Sequence, residues 1–340
     1  MANEDKTSGN GKKGSDGRAT IFDVAERAGV SFVSVSRVFN EHPNVSSRMK
    51  DRVLRAAREA GYQPRLVSRP SVIAVLVKGT DELNGQCDKF QLCAHIHKAA
   101  ADRNFLMEAI PLDKLQLLTQ HCVDGIIQIE CPSTSPVSQR ELPTIPVVVT
   151  ASPTFLPNWS SVSVDYVHEG GLGIRPLLLK GHRKVAVLLE DREHQHAVQR
   201  MSGIHGALEA KRLGADTITC FSLDTTPIPE VCEAVRLGGH TALLNFSNEH
   251  VMELMDHIFN ELKWDIPGDL SVVSLDNSRF CEHYHPRICS ITQPIADIAH
   301  HAVEELVHLI RKTNSHNNLL LKSSFHERST IRTLSPSRKP

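Results

Sequence analysis

The chain has 340 residues, 40% of them hydrophobic and 23% charged, with a formal net charge of −1. That length exceeds one small core, that composition is ordinary for a globular protein, and no stretch approaches the ~20 apolar residues of a membrane span. The near-zero charge hides an asymmetry: residues 18–69 hold ten Lys/Arg against five Asp/Glu, while residues 70–340 hold 25 against 31. A basic segment on a mildly acidic body suits a module that meets phosphates and a body that does not.

Residues 1–17 are rich in Gly, Ser, Lys and Asp, with no apolar run, and read as a disordered leader without a signal peptide. The segment 20–46 then reads as two short helices joined by a tight turn, with a third about to begin. Ile21, Val24, Ala25 and Ala28 fall on one face of the first helix. Gly29 is suited to the positive φ that ends it, and Ser31 stands where the second helix needs an N-cap. Val35 and Val38 turn that helix inward, which leaves Phe32, Val33, Ser34, Ser36, Arg37 and Asn40 largely outward. This is a helix-turn-helix whose second helix can lie in a DNA major groove.

Beyond a short connector at 65–71, strands and helices alternate. Apolar runs at 72–77, 125–129, 147–150, 162–164, 185–189, 242–246 and 270–275 predict buried strands. Helical spacing predicts helices over 90–104, 168–180, 197–212, 249–262 and 296–311. This alternation argues for parallel sheets covered on both faces. Eight cysteines are scattered without a CxxC pair, which predicts reduced, buried thiols in a cytoplasmic protein.

The stretch 18–64 resembles the headpiece of the lactose-repressor (LacI) family of bacterial regulators. The resemblance is carried by Thr20-Ile21, Asp23-Val24-Ala25, Ala28-Gly29-Val30-Ser31, Val35-Ser36-Arg37-Val38, Asn40, Asn44-Val45-Ser46, Arg52-Val53, Ala56-Ala57 and Gly61-Tyr62-Gln63-Pro64. The body resembles the same family through Val123-Asp124-Gly125-Ile126-Ile127, Gly181-His182-Arg183-Lys184-Val185-Ala186, Arg200-Met201-Ser202-Gly203, Asp269-Leu270-Ser271-Val272-Val273, Ser290-Ile291-Thr292-Gln293-Pro294 and Glu327-Arg328-Ser329-Thr330. The implied fold is an all-α headpiece followed by a two-lobed α/β effector domain like the periplasmic binding proteins. The implied division is headpiece 18–64, linker 65–71, effector domain 72–332 and tail 333–340. Lobe 1 takes 72–163 and 291–321, and lobe 2 takes 164–290 and 322–332. The chain then crosses between lobes near 163–164, 290–291 and 320–323.

The resemblance further implies a homodimer on a palindromic operator in double-stranded DNA, a repressor of carbohydrate-metabolism genes, and a sugar-like effector in the cleft. It implies no cofactor, catalytic residue, metal or membrane contact. Phe32, Val33 and Arg37 are expected at base edges, where Arg can hold guanine O6 and N7 bidentately and apolar side chains suit thymine methyls. Thr20, Ser31, Ser34, Asn40, Asn44 and Ser46 suit phosphate oxygens, and Arg65 and Arg69 suit phosphates or a narrow minor groove. Arg200, Ser247, Asn248 and Asp276 fall at cleft positions. Lys78 stands where a small polar residue is common, and Ala151 where an aspartate is, which shifts the expected ligand toward an anionic or less hydroxylated one.

The connector departs from the family. The resemblance implies a hinge helix there that pushes a leucine into the minor groove, but Ser71 stands at the leucine's position. Pro70 would cost a helix ~3 kcal/mol by removing an N–H and clashing one turn back. No hinge helix and little operator bending are expected.

Other readings stay open at this level. A regulator whose cleft senses nothing is one. An α/β enzyme is another, although no Gly-x-Ser-x-Gly elbow or Cys/His dyad supports it. Cys281, His283, His285 and Cys289 are zinc-type ligands in a spacing that is not a standard zinc pattern, and Cys93 with His97 could share a helix face. Gly170-Gly171-Leu172-Gly173 resembles a phosphate loop but lacks its GK[ST] ending, and helix packing accounts for small residues there.

Overall fold

The computed structural model describes residues 19–39, 45–62, 71–77, 88–120, 123–129, 145–150, 159–247, 250–275, 280–313 and 317–334. It divides into two compact units, 1–70 and 71–340.

The first unit is built from α1 (Ile21–Ala28), α2 (Phe32–Phe39) and α3 (Ser47–Ala60). Local chemistry sets each boundary. Thr20 and Asp23 form a reciprocal capping box at the start of α1. Gly29 closes that helix at φ 58°, where a side chain would be strained. The Ser31 hydroxyl accepts the Ser34 N–H at 3.2 Å, and the Ser46 hydroxyl accepts the Met49 N–H at 3.4 Å. Val24, Ala25, Ala28, Val35, Val38, Val53, Ala56 and Ala57 close one small core, so the apolar face expected of α1 is the face that packs.

The second unit begins with β1 (Val72–Val77), α4 (Asp88–Ala101), β2 (Leu106–Pro111), α5 (Gln116–Gln120), β3 (Gly125–Ile129), β4 (Val147–Thr150) and β5 (Ser160–Val164). It continues through α6 (Tyr166–Leu179), β6 (Val185–Leu189), α7 (Gln195–Ala210), β7 (Ile218–Ser222), α8 (Ile228–Leu237), β8 (Ala242–Asn245) and α9 (Val251–Asp256). It ends with β9 (Ser271–Leu275), α10 (Phe280–His283), β10 (Cys289–Thr292), α11 (Ile295–Ile310), β11 (Asn318–Leu321) and β12 (Ser324–His326).

These strands form two sheets, ordered β11-β5-β4-β3-β1-β2 and β12-β10-β9-β8-β6-β7. Every described pairing is parallel except β12 on β10. The central strands are buried along their whole length, which is why they read as mainly apolar runs rather than alternating ones. Apolar clusters cover both faces of each sheet, with α4 and α11 on one face of the first and α6 and α7 on one face of the second.

The chain passes between sheets three times: after β5 at Asp165, after β10 at Gln293–Pro294, and between β11 and β12 at Lys322–Ser323. The second passage falls later than the resemblance implies. Ser290 and Ile291 pair with Ser274 and Leu275 of β9, so the second sheet holds the chain through Thr292. Strand β5 also starts earlier than its apolar run. Buried Ser160 and Ser161 extend it by donating to Glu305 and Asn318, each at 2.8 Å.

Candidate DNA-reading face and effector site

In the first unit, α2 hides Val35 and Val38 and exposes Phe32, Val33 and Arg37, as the spacing predicts. Ser34 is half-buried, and its hydroxyl lies 3.0 Å from that of Ser31. The Thr20 hydroxyl is engaged with the Asp23 carboxylate at 2.8 Å. Phe22, not among the residues expected on this face, is exposed and sets its ring against that of Phe32. Its signal was a bulky apolar residue off the buried face of α1.

In the second unit, the carboxyl ends of the second sheet's strands bring together Glu190, Phe246 and Ser247, with α6 and α7 adding Tyr166, His196 and Arg200. Open α/β sheets bind ligands at such strand ends. Arg200 lies with its guanidinium carbon 5.1 Å from the ring centroids of both Tyr166 and Phe246. Its Nε donates to Glu169 Oε2 at 2.7 Å. Burial alone would lower the pKa of Arg200, but the Glu169 carboxylate, with Tyr166 and Glu190, more than offsets this and holds it above its ordinary value.

Ser247 is fully buried. Its hydroxyl lies 2.6 Å from His250 Nδ1 and 3.1 Å from Glu190 Oε1. Asn245 braces the same turn, accepting the Ser247 N–H and donating to the Ser247 carbonyl and the Ser274 hydroxyl. Exposed Glu190 and half-buried His250 therefore stand beyond Ser247.

Asn40, Asn44, Arg65 and Arg69 of the DNA set lie outside the described residues, as do Lys78, Asn248 and Asp276 of the effector set and Ala151. Among the rival motifs, Cys281 and Cys289 enter separate cores of the second sheet. His283 and His285 are exposed, and His285 Nδ1 lies 2.8 Å from the Tyr284 carbonyl oxygen. Cys93 and His97 stand one turn apart on α4, the cysteine buried in the core and the histidine exposed. The Gly170–Gly173 run serves helix packing. A Cβ at Gly170 would collide with the Arg200 carbonyl oxygen, and one at Gly203 with that of Val167.

Residues 20–65 match the family model for bacterial regulatory proteins of the lacI family, and residues 174–331 match that for a periplasmic binding protein-like domain. The chain belongs to the LacI family of bacterial regulatory proteins. It is a DNA-binding regulator with a ligand-binding type of body. It is 26% identical to the HTH-type transcriptional repressor PurR of Vibrio atlanticus, over 93% of this chain and 99% of that one. It is also 26% identical to catabolite control protein A of Priestia megaterium, over 86% and 93%. Similar solved structures include the Lac repressor dimer bound to operator and the anti-inducer ONPF, at TM-score 0.74 and 21% identity over 93% of this chain and 99% of that one. Another is the complex of the transcriptional regulator CelR with cellobiose, at TM-score 0.68 and 23% identity over 92% and 100%.

Proposed function

We propose that this LacI-family member binds a palindromic operator as a homodimer in the cytoplasm, represses genes of carbohydrate metabolism, and answers to a sugar-like effector, without enzymatic activity. The observation that carries the DNA reading is the α2 face, where Phe32, Val33 and Arg37 stand out while Val35 and Val38 close the core. A palindrome matches the twofold symmetry of a dimer. Thr20, Ser31, Ser34, Asn40, Asn44 and Ser46 take phosphates, and Arg65 and Arg69 follow the backbone beyond them. The effector is bound by Arg200, Ser247, Asn248, Asp276 and Lys78. The domain division 18–64, 65–71 and 72–332 goes with this reading.

The test is selection of duplexes from a random pool by the full chain. A palindromic consensus is expected, and Arg37→Ala should cost ~1–3 kcal/mol on it and relax one position. Equal binding of consensus and random DNA would remove the reading.

One observation favours a second reading, a regulator whose body senses nothing: Arg200 Nε and the Ser247 hydroxyl already have partners within the chain. A melting screen separates the two, since a ligand of the folded state alone must raise stability.

A further inference from the structure

Glu169 lies in the first turn of α6 with no solvent exposure at all. Oε2 accepts from Arg200 Nε at 2.7 Å. Oε1 accepts from the Ser323 hydroxyl at 2.6 Å and from Gln293 Nε2 at 3.1 Å. Glu169 and two of these partners come from the three places where the chain changes sheets. Glu169 follows the first passage, Gln293 lies in the second and Ser323 in the third. Arg200 belongs to α7, whose backbone meets that of α6 at Gly170 and Gly203.

We propose that Glu169 is the resident ligand of Arg200, a carboxylate supplied by the chain itself that closes this arginine to acidic effectors. The proposal rests on the assignment of Arg200 to the effector site made above. A guanidinium flanked by two aromatic rings is otherwise well placed to take a carboxylate or phosphate from a ligand. Here a tethered carboxylate is already there, and tethering gives it an effective concentration of ~mM or more against any free competitor. Charge works in the same direction, because Glu190 also faces Arg200 closely enough to raise its pKa. This wall of the site thus selects uncharged, hydroxyl-bearing ligands. The preference that Lys78 and Ala151 suggest, for an anion, does not extend to Arg200.

The same bonds fix the junction. Removing one partner of a buried pair leaves the other charge uncompensated, so the three passages and α7 lose a shared anchor together.

Formate rescue tests this on the full chain. Glu169→Ala should melt on the order of ten degrees below the wild type in chloride. Sodium formate at equal ionic strength should recover part of that loss, as a free carboxylate occupies the vacated place. The wild type and the Glu169→Ala/Arg200→Gln double variant should not distinguish formate from chloride. If Glu169→Ala does not fold in chloride, its refolded yield in formate against chloride is the readout. Glu169→Gln, equal in size but uncharged, should also melt lower. A formate effect absent from Glu169→Ala, or a Glu169→Gln that melts like the wild type, overturns the proposal.

Two ligand pairs complete the test: glucose against gluconate, and ribose against ribose 5-phosphate. Any wild-type melting shift is expected from the uncharged member of a pair. A shift with gluconate or ribose 5-phosphate that Arg200→Gln abolishes overturns the proposal. If no sugar moves the wild type, the effector assignment of Arg200 fails, while the formate comparison still decides what Glu169 does.

Discussion

The ring of Phe22 on α1 lies 5.7 Å from that of Phe32 on α2, and the two residues remain 65% and 52% exposed. Val33, next to Phe32, is also exposed, so the start of α2 carries a small apolar patch. The chemistry it fits in a major groove is the thymine 5-methyl group. Phe22 then steadies Phe32, and such an aromatic pair is worth ~0.5–1.5 kcal/mol beyond burial. Replacing thymine by uracil in the selected operator should weaken wild-type binding severalfold, since only methyl groups are lost. Phe22→Ala and Phe32→Ala should bind the two duplexes alike, with little change in melting. Titration of both duplexes at one salt concentration checks it, and full thymine discrimination in Phe22→Ala would remove that residue from the reading face.

What the sequence disclosed and what it hid follow from range. Gly29 and Ser31 act on residues a few positions away, so that turn and that cap were readable directly, and the caps made by Thr20 and Ser46 are equally local. The strands β1, β3, β4 and β6 were readable because burial on both faces forces mainly apolar runs. Helix α8 has no counterpart among the predicted helices; it begins at Pro227 and Pro229, residues tolerated at a helix start but unfavourable inside one. The edge strand β7 is only partly buried and carries polar residues, and the edge strand β11, Asn-Leu-Leu-Leu, is mostly exposed and only four residues long. Glu169 was invisible because its partners lie 31, 124 and 154 positions away. A glutamate in the first turn of a helix reads locally as nothing more than a charge favoured by the dipole.

The crossing of α6 and α7 gives a prediction with an internal control. At Gly170 and Gly203 an added methyl meets backbone carbonyl oxygens, which cannot move away cheaply, whereas at Gly206 on the same helix it meets nothing within 4 Å. Gly203→Ala should destabilise toward the upper end of the ~1–3 kcal/mol typical of overpacking. Gly206→Ala should be neutral or stabilise by up to ~1 kcal/mol, because it removes a helix-interior glycine. Calorimetry of the two variants decides. Equal melting temperatures would mean that the helices do not meet at Gly203.

His182 gives a pH dependence. It is fully buried between the Thr241 hydroxyl, 2.8 Å from Nδ1, and the Arg332 carbonyl, 3.1 Å from Nε2. The carbonyl can only accept, so Nε2 carries the proton and Nδ1 accepts from Thr241. Burial pushes the pKa below its ordinary 6.5, and Arg332 and Arg183 lower it further against the opposing effect of the Arg332 carbonyl. The unfolded chain therefore binds this proton at a higher pH than the folded one. The contribution to stability is complete above about pH 6.5 and is lost as pH falls below it, toward the depressed folded value. Denaturant titrations between pH 7.5 and 5 should show stability declining over the acid half. His182→Gln should be less stable at neutral pH and flatter across the range, and an unchanged slope in that variant would place the dependence on other groups.

The last prediction concerns the passage from headpiece to body. The position where the LacI-family resemblance implies a minor-groove leucine is Ser71, and Ser71 is held by the body. Its carbonyl accepts the Leu106 N–H at 2.9 Å, and the next residue, Val72, opens β1 with its N–H on Asp124 Oδ2 at 2.8 Å. Pushing residue 71 between base pairs would break the Ser71 bond and pull at the edge of the first sheet. Pro70 just before it lacks the N–H that a helix would use. Intercalating wedges are what kink a duplex sharply, by unstacking a base step. Without one, the operator should stay close to straight. A circular-permutation assay on the selected operator is expected to give little mobility difference between central and terminal sites. The double substitution Pro70→Ala/Ser71→Leu should add little bending, because the backbone at position 71 would remain tied to the sheet. A sharp central kink with the wild-type chain would mean that Leu66 or another residue of the connector enters the groove.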